Sequence, residues 1–250
     1  MGRMMTTLAL THARYQLLET VRIPIALIGS AFFPAASMLF FVVPFAGHDP
    51  VYATYATASM VTFAVMTTNL FQYGIGVAED RTQPWDPYTR TLPAGPGPRF
   101  AGRILAGMAM MSISLIPVVV IAALLTNATV TPAAFLAAAG TTLLIAVPFV
   151  LMGLAIGYWL PPKAAIVVAQ LLFFPLAFGG GLLTAPGQAP GFVEVIAPYL
   201  PTGGAARLMW AAVGNFPFDL SSTIALIGWA ILLGGVAVWA YRRDEGRRFS

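Results

Sequence analysis

Cysteine is missing from all 250 residues, so neither a disulfide framework nor a thiolate, as metal ligand or nucleophile, is open to this chain. Charge is scarce: Asp, Glu, Lys and Arg make up 9% of the residues, against 58% hydrophobic. A soluble domain of this length needs far more charge to cover its surface, so the composition is that of a multi-pass membrane protein. Lysine is reduced to Lys163 and histidine to His12 and His48. There is no HExxH pair, no paired-acid helix motif and no GxxxxGK[ST] phosphate loop. A metal site is therefore not expected, and ATP hydrolysis through such a loop is excluded. No apolar run carries an ionisable residue at its middle, which leaves a proton relay or ion-coupled carrier without its carrier group.

About twenty apolar residues cross a bilayer core, and six runs reach that length: 23–45, 55–77, 104–125, 134–160, 164–183 and 221–241. The fold class expected is all-α, with six transmembrane helices in one domain spanning 1–250. Ahead of them, residues 3–22 place Met5, Leu8, Tyr15 and Leu18 at spacings near three, four or seven. Such a helix lies on the bilayer surface, with Arg14, Glu19 and Arg22 as its charged groups. Its polar residues also interrupt any signal-peptide core. Residues 186–214 are apolar but broken by Pro190, Pro198, Pro201, Gly203 and Gly204, and they carry Glu194 and Arg207. Two half-inserted helices, a re-entrant hairpin before the last span, fit that stretch better than a straight crossing. Gly153 and Gly157 are spaced for close helix packing, and Gly179–Gly181 reads as a helix terminus.

With six spans, twelve of the thirteen basic residues fall on one side and only Arg207 on the other. The positive-inside rule then puts both termini in the cytoplasm. No internal repeat is visible between the two halves.

The remaining charge gathers after the second run, in Glu79, Asp80, Arg81, Asp86, Arg90, Arg99 and Arg103. An ionised carboxylate at mid-bilayer costs roughly 3 kcal/mol, so Glu79 and Asp80 belong at the interface, where neighbouring Arg81 can pair with them. Pro84-Trp-Asp-Pro87 opens a short surface helix, about residues 84–92. The stretch 79–93 reads as a docking surface for a partner protein, through Glu79, Asp80, Arg81, Pro84, Trp85, Asp86, Tyr88 and Arg90. Asn69, Gln72 and Tyr73 lie on roughly one face of the second run. With Gln170 they are candidates to line a path for an amphipathic substrate, although helix–helix hydrogen bonding is the commoner use of such residues.

Taken in order, the N-terminal helix ending in Arg22-Ile-Pro24, the charged loop from Glu79-Asp-Arg81 to Thr91-Leu-Pro93, and the broken segment from Pro198-Tyr-Leu-Pro201 to Ala206-Arg207 resemble the permease subunits of type-2 ABC exporters. The resemblance covers nearly the whole chain. It implies a bacterial plasma-membrane protein that carries no cofactor of its own and works with a separate ATPase subunit, on which ATP and Mg sit. It also implies a second permease subunit, and export of a drug, lipid or similar hydrophobic substrate by alternating access. The bilayer is then a partner and nucleic acid is not. The alternative is an ATP-independent channel, a secondary carrier or an accessory envelope membrane protein.

Overall fold

The computed structural model describes residues 2–22, 24–84, 97–184 and 186–246, and among these every regular element is helical. In chain order they are α1 (Gly2–Val21), α2 (Pro24–Ser37), a π-helical turn (Met38–Val42), α3 (Val43–Phe45), α4 (Pro50–Asp80), α5 (Gly97–Leu125), α6 (Pro132–Trp159), α7 (Pro162–Gly179), α8 (Gly191–Ile196), a 3₁₀ turn (Ala197–Tyr199), α9 (Pro201–Val213) and α10 (Leu220–Gly246). Among the described residues, four segments are long and apolar enough to cross a membrane: Phe100–Leu125, Pro132–Trp159, Pro162–Gly179 and Leu220–Glu245. A shorter apolar helical stretch spans Ala31–Phe45. It contains the π turn, next to Pro44, whose missing N–H and ring bulk disturb the preceding turn.

Helix starts follow from local chemistry. Asp49 caps α4, its Oδ1 accepting from the amides of Val51 and Tyr52 at 2.9 Å each, with Pro50 in the first helical position. Thr131 caps α6 in the same way, accepting from the Ala134 amide at 3.2 Å. Proline also opens α7 and α9. At the end of α7, Gly180 abuts Thr202, whose hydroxyl donates to the Leu176 carbonyl at 2.7 Å. Gly181 has a φ of +71°, a left-handed conformation open to glycine at little cost. The three-glycine run is thus a helix terminus.

The centre of the bundle is α4. It is packed by α2, α5, α6, α7 and α9, and most extensively by α6. Its 31 residues extend about 46 Å at 1.5 Å per residue. Surrounded by protein, it tolerates polar side chains that a lipid-facing helix does not. Thr54, Ser59, Thr62, Thr67, Thr68 and Asn69 are all buried, and each finds a partner. The longest reach is from the Trp210 indole on α9, which donates to the Ser59 hydroxyl at 2.9 Å. Apolar packing is densest around Phe173 of α7, whose ring meets Phe33, Phe63, Phe71 and Phe174 at centroid distances of 4.7–5.8 Å.

Small residues let α6 approach α4. A methyl group added at Gly153 would lie 2.7 Å from the Asn69 carbonyl oxygen, and one at Gly157 would lie 2.5 Å from that of Tyr73. Both obstacles are backbone and cannot turn aside. Gly157→Val should therefore lower stability by roughly 1–3 kcal/mol, the usual cost of overpacking. Gly140→Ala, in the same helix but with nothing within 4 Å of the new methyl, should be tolerated. Thermal unfolding of the two variants in detergent separates these outcomes.

Candidate functional site

One end of the bundle collects the C-terminal ends of α4, α6 and α10, the start of α5, and α1. Arg81, the residue after α4, donates through Nη1 to the carbonyls of Gly157 at 2.7 Å and Leu160 at 3.2 Å. Its Nη2 forms an ion pair with Asp244 near the end of α10. Asp244 has a side chain only 3% exposed, and the Arg81 guanidinium offsets part of the cost of burying its charge. Asp80 pairs with Arg103 of α5. Beside these pairs Phe100, Tyr158 and Tyr241 stack edge to face or tilted, at 5.0–6.0 Å between centroids. The sequence suggested that Arg81 pairs with its neighbours Glu79 and Asp80. The described ion pairs instead reach across the bundle, because residues one or two apart on a helix point in different directions.

Of the other docking candidates, Glu79 and Pro84 are exposed at this end. Trp85, Asp86, Tyr88 and Arg90, and with them the short helix expected over residues 84–92, lie outside the described residues apart from Pro84. On α1, Arg14 and Glu19 are exposed, as are Tyr15 and Leu18, and so is Arg22 just after the helix. The face of α1 packed on the bundle is Ala9 and Ala13, against Gly102 of α5. A methyl at Gly102 would lie 2.8 Å from the Ala9 carbonyl oxygen. Sequence reasoning missed this contact. Its signal was the small residues at positions 9 and 13, one helical turn apart.

The four path candidates separate. Asn69 and Tyr73 are buried within the chain. The Asn69 amide donates to the Val65 carbonyl at 2.7 Å and meets the Met111 sulfur at 3.3 Å. The Tyr73 hydroxyl donates to the Ile104 carbonyl at 3.2 Å, in the space left by Gly107. Gln72 is half-buried, and Gln170 is exposed near the middle of α7. His12 sits beside Gly102, whereas His48 is at the far end, where its carbonyl accepts from Asn127 at 2.9 Å. No group of three or more metal-ligating side chains occurs among the described residues.

At that far end, Asn127 also donates its amide to the Gly47 carbonyl at 2.8 Å, and the Thr129 amide donates to the Thr54 hydroxyl at 3.0 Å. Arg207 of α9 pairs with Asp219 at 2.6 Å. Asp219 also accepts from the Ser221 hydroxyl at 2.6 Å, from the Ser222 hydroxyl, and from the Ser221 amide at 3.0 Å. The Ser221 hydroxyl, then that of Ser222, then Arg207 hold this carboxyl well below the ordinary carboxylate range.

The sequence model described as "ABC-2 type transporter" matches residues 7–209. Among known proteins, the chain is similar to a Bacillus subtilis (strain 168) protein named as a transport permease, YvfS. The two are 21% identical over 187 residues, which cover 75% of this chain and 76% of the relative.

Arg81→Ala removes an ion pair with a buried carboxylate together with two hydrogen bonds to backbone carbonyls, so it should destabilise the chain by roughly 3–5 kcal/mol. Asp80→Ala breaks a pair whose carboxylate is half exposed and should cost about 0–1 kcal/mol. Melting curves in detergent test the difference. Asp219 should shape acid stability. Its folded-state pKa is depressed, so its contribution is complete above the unfolded value of about 3.9 and fades as pH falls below that. Between pH 7 and about pH 5, the gap in melting temperature between the wild type and Asp219→Asn should be constant. Below about pH 4 it should narrow.

Proposed function

The chain belongs to the ABC-2 type transporter family and is a membrane transport component; we propose from that premise that it is the permease subunit of an ATP-driven exporter. Six crossings are made, by α2–α3, α4, α5, α6, α7 and α10, with α8 and α9 forming the re-entrant hairpin on the outer face. Both termini lie in the cytoplasm of a bacterial cell. A separate ATPase subunit, carrying ATP and Mg, docks on residues 79–93 and on the exposed charged face of α1. A second permease subunit completes the pathway. Of the polar groups read as path-lining, Gln72 and Gln170 remain available to an amphipathic substrate, because Asn69 and Tyr73 already have partners inside the chain.

The observation that carries this reading is the junction at Asp80 and Arg81. The segment proposed to dock on the ATPase follows directly from two residues bonded to α5, α6 and α10. A displacement of the loop is thereby delivered to three other helices. A merely solvated loop end has no need of such attachments.

The test is purification of the tagged full chain from membranes of cells that also express its neighbouring genes. A nucleotide-binding subunit should co-purify in stoichiometric amount, with ATPase activity. Glu79→Ala combined with Trp85→Ala should reduce its recovery at least tenfold without lowering the amount of chain in the membrane. A homo-oligomer free of ATPase activity would point to the channel or carrier alternative.

A further inference from the structure

Outside the site described above, α6 and α10 leave a groove of about 460 Å³ between them on the membrane-facing surface, lined by Trp159, Ile231, Leu232, Gly235, Val236 and Trp239. Its depth comes from Gly235, where an added methyl would meet no atom within 4 Å. From Ile231 to Trp239 it follows α10 for about 12 Å. Trp159 and Trp239 pack edge to face at 5.7 Å across its mouth, with both rings about half exposed. The Arg243 guanidinium lies 5.2 Å from the centre of the Trp239 ring. Arg242 and Arg243 are both exposed, and neither pairs with a carboxylate among the described residues.

We propose that this groove seats one anionic phospholipid of the bilayer, its acyl chain against Gly235 and its phosphate at Arg243. Three features argue for that occupant over a neutral lipid. The walls are apolar, which suits a hydrocarbon chain. The two tryptophans mark the depth at which a headgroup begins, since aromatic side chains concentrate at the membrane interface. A guanidinium stacked on an indole keeps its N–H edge free for a phosphate, and a second exposed arginine adds to the positive field. The proposal does not depend on an ATPase partner.

Tryptophan fluorescence provides the readout, because bromine on lipid acyl chains quenches a ring that it touches. The full chain is reconstituted in phosphatidylcholine vesicles containing an equal small fraction of either brominated phosphatidylglycerol or brominated phosphatidylcholine. The wild type should show at least a threefold preference for the brominated phosphatidylglycerol. Arg243→Gln should abolish the preference by removing the phosphate contact. Gly235→Leu should abolish it by filling the groove, from a position where the new Cβ meets no atom within 4 Å. Trp159→Phe should reduce the phosphatidylglycerol-specific quenching, as it takes away one of the two reporters at the mouth. Equal quenching of the wild type by the two lipids, or a preference that survives in either the Arg243 or the Gly235 variant, would overturn the proposal.

Discussion

The close contact of α6 with α4 is the constraint on which the rest of the bundle depends. A central helix with buried threonines, a serine and an asparagine is stable only where every hydroxyl and amide has a partner within reach. That requires neighbours near enough to supply one. Gly153 and Gly157 bring the α6 backbone against Asn69 and Tyr73, and Gly107 makes room for the Tyr73 hydroxyl over α5. Thr68 then meets Ser114 at 2.8 Å, and Trp210 reaches Ser59. Between helices in a membrane, hydrophobic segregation supplies little drive, so close packing and such bonds must hold them together. The phenylalanine cluster around Phe173 packs where α2, α4 and α7 meet.

The charges are divided between the two ends. The end carrying Arg81, Asp244, Asp80 and Arg103 is joined by ion pairs and by carbonyls accepting from a guanidinium. The opposite end is joined mostly by neutral hydrogen bonds between connecting segments, with the Arg207–Asp219 pair at its edge. A buried ion pair is weak evidence for stability in itself, yet breaking it by removing one partner is expensive. Arg81 and Asp244 are thereby committed to staying together, and the ends of α4, α6 and α10 stay with them. On the permease reading proposed above, docking of a partner falls to the exposed groups beside this cluster: Glu79 near the end of α4, Pro84 on the loop, Arg14 and Glu19 on α1, and Arg22 just after it.

The lipid-facing helices were legible in the sequence because lipid selects for unbroken apolar runs, and α5, α6, α7 and α10 have them. For α4, the apolar run over 55–77 is visible, but the helix extends from Pro50 to Asp80. The Asp49 cap and the charged exit lengthen it beyond the stretch that hydropathy marks. The small-residue contacts were half legible. Gly153 and Gly157 stand at a recognisable spacing, whereas Ala9 and Ala13 are inconspicuous beside the bulkier Tyr15 and Leu18, which remain exposed. The pairing of Arg81 with Asp244, 163 positions apart, was not legible at all. Neither residue's local sequence specifies which helix ends meet, and the nearer acids offered a simpler partner.

The neutral stitching around Asp49 has a mechanical consequence. Gly47 and His48 are tied through Asn127, and Thr54 through Thr129, to the connection between α5 and α6, so one end of α4 has a fixed footing. The other end lies about 46 Å away, where a rotation of about 5° around that footing is a sweep of about 4 Å. Because Arg81 is bonded to α6 and α10 at that end, such a sweep engages all three helix ends. On the permease reading proposed above, the helix is a lever whose fulcrum lies on the far side of the membrane from the loop that would push it.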